Sequence, residues 1–94
     1  MPYLMLKISV EDFAKWKDTF DRIEPERINA GSKGGYIFRN VDDQNQVVLI
    51  LEMEDLDRAR EFLGSPQSQQ AMQEAGITGV PEILFLDEVD RPTG

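Results

Sequence analysis

Ninety-four residues are enough for one small domain with a single hydrophobic core. At 40% hydrophobic and 30% charged residues the chain is too apolar to be disordered, and a net charge of −8 disfavours nucleic acid as a partner. Cysteine and histidine are both absent, which removes disulfides, thiolate nucleophiles, the commonest zinc ligands and every Ser-His-Asp arrangement.

No apolar run approaches the roughly 18 residues of a membrane helix, and Met1-Pro2-Tyr3-Leu4 lacks the basic start of a signal peptide. The expectation is a cytoplasmic protein with no membrane partner. No period repeats, and only Arg91-Pro92-Thr93-Gly94 looks like a flexible tail, so residues 1–94 read as one domain.

The first element is a strand over Pro2 to Ile8, where Leu4, Leu6 and Ile8 form an aliphatic side against Tyr3, Met5 and Lys7. Ser9 and Asp12 suggest a capping box, placing a helix start near Val10 or Glu11. Phe13, Trp16, Phe20 and Ile23 then recur at helical spacing on one stripe. Pro25 either stops that helix or opens a second segment, in which Ile28 continues the stripe and Gly31 closes it.

Two β-rich runs follow, Gly35 to Val41 and Gln46 to Glu54, joined by a turn at Asp42-Asp43-Gln44-Asn45. A four-residue loop pairs Val41 with Gln46 and Arg39 with Val48. It sets Ile37, Arg39, Val48, Ile50 and Glu52 on one face, and Tyr36, Phe38, Val47, Leu49, Leu51 and Met53 on the other. A slip of one residue exchanges these neighbours. Asp55 caps a short helix carrying Leu56, Ala59, Phe62 and Leu63, with Gly64 at its end. Ser65-Pro66 restarts a helix through Ala71, Met72 and Ala75 to Gly76, and the last strand runs from Pro81 to Val89.

The order β-α-β-β-α-β is that of a ferredoxin-like α+β fold, a four-stranded antiparallel sheet with helices on one face. Both faces of the hairpin and of the last strand are rich in apolar residues. Helices on one side leave the other in water, which soluble monomers rarely tolerate, so the expected partner is a second copy docked through the sheet face.

Three local pieces carry a family resemblance: Val10-Glu11-Asp12-Phe13-Ala14-Lys15-Trp16-Lys17, Gly31-Ser32-Lys33-Gly34-Gly35 leading into Phe38-Arg39-Asn40, and Pro81-Glu82-Ile83-Leu84-Phe85. With the element order, they make the chain resemble the dimeric α+β barrel superfamily over about residues 3 to 90. The likeness is to the antibiotic biosynthesis monooxygenase-like and small cyclase-labelled proteins. That superfamily holds cofactor-free oxygenases, polyketide cyclases, haem-degrading enzymes and proteins with no assigned reaction. Its haem-degrading members and best-described cyclases use a histidine, which this chain lacks.

The glycines at 31–35 lack the P-loop order, since they follow a helix and enter a strand; they read as a helix stop and strand entry, with anion binding the other option. Phe13 and Trp16 pack a core or wall a pocket for a flat molecule, and both roles are compatible. Arg39, in mid-strand, needs a partner if buried: Glu52, a second subunit or an acidic ligand. Tyr36 and Arg39 are the polar groups available to orient a substrate or stabilise an anion. The candidate pocket is therefore Phe13, Trp16, Tyr36, Arg39 and Glu52, with no catalytic residue assigned. Asp42, Asp43, Asp87, Glu88 and Asp90 read as a solvated rim, Met53 and Met72 as gap-fillers.

No metal site or cofactor is expected, because only oxygen ligands are on offer and none has calcium-loop spacing. Two functions remain open. One is a cofactor-independent monooxygenase- or cyclase-like enzyme acting on an aromatic or polyketide-like compound. The other is a non-catalytic homodimeric protein that binds a small apolar or aromatic ligand or serves as structure.

Overall fold

The computed structural model describes residues 1–94 as β1 (Pro2–Val10), α1 (Phe13–Arg22), α2 (Glu24–Asn29), β2 (Ser32–Asn40), β3 (Asp43–Met53), α3 (Leu56–Leu63), α4 (Pro66–Glu74) and β4 (Ile77–Asp87). The strands form one antiparallel sheet in the order β2-β3-β1-β4. This is the ferredoxin-like arrangement, with each predicted helical region built as a pair of short helices. No helix is long and apolar enough to cross a membrane.

β1 runs past its predicted end because the two-residue period continues: Leu4, Leu6, Ile8 and Val10 are all buried. Ser9 and Val10 pair with Thr78 and Ile77 of β4, so Ser9 is a strand residue and caps nothing. Asp12 caps α1, its carboxylate accepting from the Ala14 N–H at 3.2 Å. The same pairing corrects β4, which begins at Ile77 instead of Pro81 and ends at Asp87. Pro81 is accommodated because β4 is an edge strand whose register with β1 shifts between Lys7 and Ser9.

Pro25 lies in the first turn of α2, where the missing N–H leaves no helical bond unmade. Gly31 closes the segment at φ +95°, its N–H donating to the Ile28 carbonyl at 3.0 Å. Gly64, also expected to close a helix, ends α3 in ordinary right-handed geometry. Ser65 caps α4 by accepting from the Ser68 N–H at 3.2 Å.

The hairpin differs from expectation by one residue. Arg39 pairs with Val47, Phe38 with Val48, and Asn40 with Asp43 after a register shift. The cause is a side chain. Asn40 accepts from the Asp42 N–H at 2.9 Å and donates to Gln46 Oε1 at 2.8 Å. That local turn tightens the connection to Val41-Asp42 and places an irregularity beside it. Ile37 and Arg39 consequently share the helix-covered face with Val47, Leu49, Leu51 and Met53, while Tyr36 and Phe38 share the opposite face with Val48, Ile50 and Glu52. At the other end of β2 a second irregularity falls at Gly34-Gly35. A Cβ on Gly35 would sit 1.9 Å from the Ile50 carbonyl oxygen, so only glycine admits this approach.

The core lies between the helices and one face of the sheet. Trp16 of α1 and Ala59 of α3 pack on the β1 and β3 aliphatics, with Phe13, Phe20, Leu63 and Phe85 at the edges. No helix covers the other face, which is bordered at one end by Glu88 and Arg91 beyond β4. There Tyr36, Ile50, Met5 and Leu84 line up across all four strands, beside Phe38, Val48 and the ends of β1 and β4.

Two consequences follow for stability. Trp16→Ala removes a 4%-exposed indole from the core and lowers the unfolding free energy in urea by about 3–5 kcal/mol. Gly35→Ala forces β2 away from Ile50, and amide exchange of the β2–β3 ladder will show lost protection there before β1 is affected.

Candidate functional site

The site lies between the helices and the sheet, and its aromatic wall and its one charged group come from α1 and α2. Phe13, Trp16, Phe20 and Ile23 occupy one stripe, as their spacing predicts. The ring centroids of Phe13 and Trp16 are 5.8 Å apart, and those of Trp16 and Phe20 are 5.1 Å apart and nearly parallel. Beyond the Ile23 junction the stripe is continued by Arg27. Ile28, expected in that place, is exposed. The Arg27 guanidinium lies 3.5 Å over the Phe20 ring, and its Nη1 donates to the Phe20 carbonyl.

Under the stripe is an almost wholly apolar cavity of about 80 Å³, floored by Leu4, Leu6, Leu49, Leu51 and Met53 and closed by α3 and α4. Its polar edges are few. The Thr19 hydroxyl is engaged by the Lys15 carbonyl at 3.3 Å, and Ser32, Ser68 and Arg27 complete the set. Arg27 is the only charged residue of the lining. Through Phe20, Arg27, Ser32, Leu49 and Leu51 the cavity continues into an open groove between α2 and β2.

Arg27 has no carboxylate within 4.0 Å, whereas Lys33, which also lines the groove, pairs with Glu54 at 3.7 Å. Burial holds the guanidinium below its usual pKa, against the opposing fields of Glu24, Asp21 and Glu26. It stays charged at any physiological pH.

The five residues read from the sequence are not brought to one place. Phe13 and Trp16 sit on the inner stripe, and Arg39 reaches Phe13, its guanidinium 4.6 Å from the ring centroid. Arg39 is exposed at the sheet edge, so it needs no buried partner, and the hairpin register sets it on the opposite face from Glu52. Tyr36 borders the groove between α2 and β2 and also, with Glu52, Tyr3, Phe38 and Ile50, a shallow depression on the uncovered face. Tyr36 stacks on Phe38 at 5.8 Å. The sheet separates Glu52 from the cavity and the groove. Asp42, Asp43, Asp87, Glu88 and Asp90 are all exposed, and no three carboxylates converge to hold a metal ion.

Arg27 is the residue that sequence reasoning missed. Its signal was present: it lies seven residues after Phe20 and four after Ile23, the spacing of a single helix face. Pro25 concealed it, because a proline suggests that the helical phase is lost; here α2 keeps the phase, with the Arg27 N–H bonded to the Ile23 carbonyl at 3.1 Å.

No family model matches the sequence, and no curated protein matches it. Among solved structures, an assigned antibiotic biosynthesis monooxygenase from Bordetella bronchiseptica is similar at TM-score 0.79 and 17% identity, over 94% of this chain and 96% of that one. One so assigned from Caulobacter crescentus gives 0.74 and 16%, over 95% and 90%. SnoaB, a cofactor-independent oxygenase from Streptomyces nogalater, gives 0.70 and 18%, over 94% of each chain. At these identities the likeness is one of fold: the chain has the ferredoxin-like α+β architecture of these antibiotic biosynthesis monooxygenase-like structures.

Proposed function

We propose that this chain is a homodimeric, cofactor-independent oxygenase-like protein whose helix–sheet cavity and adjoining groove hold a small aromatic or polyketide-like molecule. The observation that carries the reading is the cavity itself: an apolar recess walled by Trp16 and Phe20, with one charged group at its mouth. The closed part is about half the volume of the roughly 150 Å³ engineered cavity that takes up benzene. A ligand therefore buries one ring edge or a short alkyl end and leaves its polar end in the groove. The fold shared with SnoaB supports direct use of dioxygen. Without a cofactor the electrons that reduce dioxygen have to come from the substrate, and the protein contributes a dry, oriented site.

A second copy completes the fold in this reading. The uncovered face carries Tyr36, 64% exposed, Phe38, Leu84 and Leu86 around the row that crosses the sheet. Two such faces placed together bury this surface in a closed two-fold assembly.

A second reading, binding or structure without turnover, is favoured by the small volume of the cavity and by the lack of any general base in the cavity's own lining, the nearest carboxylate being Glu24 in the groove. The two part in one experiment. Oxygen uptake is followed with electron-rich aromatic compounds while Trp16, the sole tryptophan, reports binding by fluorescence. The oxygenase reading expects saturable binding and protein-dependent uptake; binding without uptake across the series selects the non-catalytic reading.

The dimer is tested separately. Sedimentation equilibrium at micromolar concentration will give about twice 10.7 kDa, and Phe38→Lys on the uncovered face will shift the protein towards monomer without loss of helix content. A wild-type monomer would refute the assembly.

A further inference from the structure

We infer that the groove is specific for a slender apolar acid and that Arg27 is the residue that selects its anionic end. The inference rests on the pocket reading above and adds the ligand's charge.

Arg27 stands where the closed cavity meets the open groove, and borders both. A guanidinium has five N–H donors, and the only acceptor seen on Arg27 is the Phe20 carbonyl, reached through Nη1. The guanidinium carbon lies 3.5 Å from the Phe20 ring centroid, and this contact, with the bond to the Phe20 carbonyl, holds the group at the junction. A half-buried cation without an ion-pair partner gains more from an incoming carboxylate or enolate than an exposed one does, even though Glu24 also lines the groove. A planar anion can take two parallel N–H bonds from the fork while its apolar body enters the cavity.

Asp21, Glu24 and Glu26 oppose this, since their fields act on Arg27 from nearby. None comes within 4.0 Å, so none occupies the donors, and at that range their effect is screened more than a direct contact would be. With a net charge of −8 the chain does not draw anions from a distance. Recognition is then a contact effect, expressed in slow release instead of fast arrival.

The test uses 4-propylbenzoate and its neutral counterpart 4-propylbenzamide, titrated against Trp16 fluorescence. The wild type is expected to bind the acid about tenfold more tightly than the amide, the increment of one charge-assisted hydrogen-bonded pair. Arg27→Met, checked for folding by circular dichroism, should abolish that preference, so that acid and amide bind with about equal Kd. Arg27→Lys keeps the charge but loses the fork, and should reduce the preference to a few-fold; it serves as the test if the methionine variant does not fold. Equal binding of acid and amide by the wild type, or a preference untouched by these variants, overturns the role of Arg27 and leaves the pocket standing. If neither compound binds, the pocket reading falls and this inference with it.

Discussion

The two-residue period of the sheet, set against helices that exist on one side only, is the constraint from which the remainder of this structure follows. Leu4, Leu6, Ile8 and Val10 on β1, with Val47, Leu49, Leu51 and Met53 on β3, give the central strands one continuous aliphatic surface. The amphipathic stripe of α1 has one place to go, and burying Trp16 there, at about 25 cal/mol per Å² of apolar surface, outweighs the modest preferences of individual residues. The same period sends Met5, Ile50, Tyr36 and Leu84 to the other side, where the chain offers no cover. The core and the bare face are thus two results of one alternation.

Charge is fitted around this layer in a consistent way. Six arginines are present, and three of them, Arg22, Arg58 and Arg91, pair with carboxylates. The other three lie over phenylalanine rings: Arg27 on Phe20, Arg39 on Phe13, and Arg60 on Phe85. Each of these rings is half-buried at the border of the core. The guanidinium covers the ring's outer face with its own flat, weakly hydrated surface, which shields the core edge without introducing a buried ion pair and its desolvation cost.

Much of the fold was legible in the sequence because it depends on pattern. The helical stripe from Phe13 to Ile23, the split at Pro25, the caps at Asp55 and Ser65 and the element order all rest on periodicity or on single-residue stereochemistry. The errors fall where one side chain decides between close alternatives. The Asn40 amide tightens the hairpin and moves its register by one, which reverses which side of the sheet Arg39 and Tyr36 occupy. A strand has no tolerance for that slip, since neighbours along the chain point to opposite faces. The candidate site inherited the error. Phe13 and Trp16 were placed by helical period and lie together, while Tyr36 and Glu52 were placed by register and belong to the outer face, Tyr36 reaching the groove only because β2 is an edge strand.

The short helix α2 has a consequence for how the interior is reached. It has six residues and none of them is buried, and its N-terminus has no side-chain cap. The strands beneath it hold nearly the entire core. Local opening follows the least-anchored segment, so the wall of the groove can swing aside on fluctuations that cost a small fraction of global unfolding. β1 and β3 stay closed meanwhile. The groove wall is thus a segment that buries none of its own residues, and its fluctuations widen the way to the cavity without any rearrangement of the sheet.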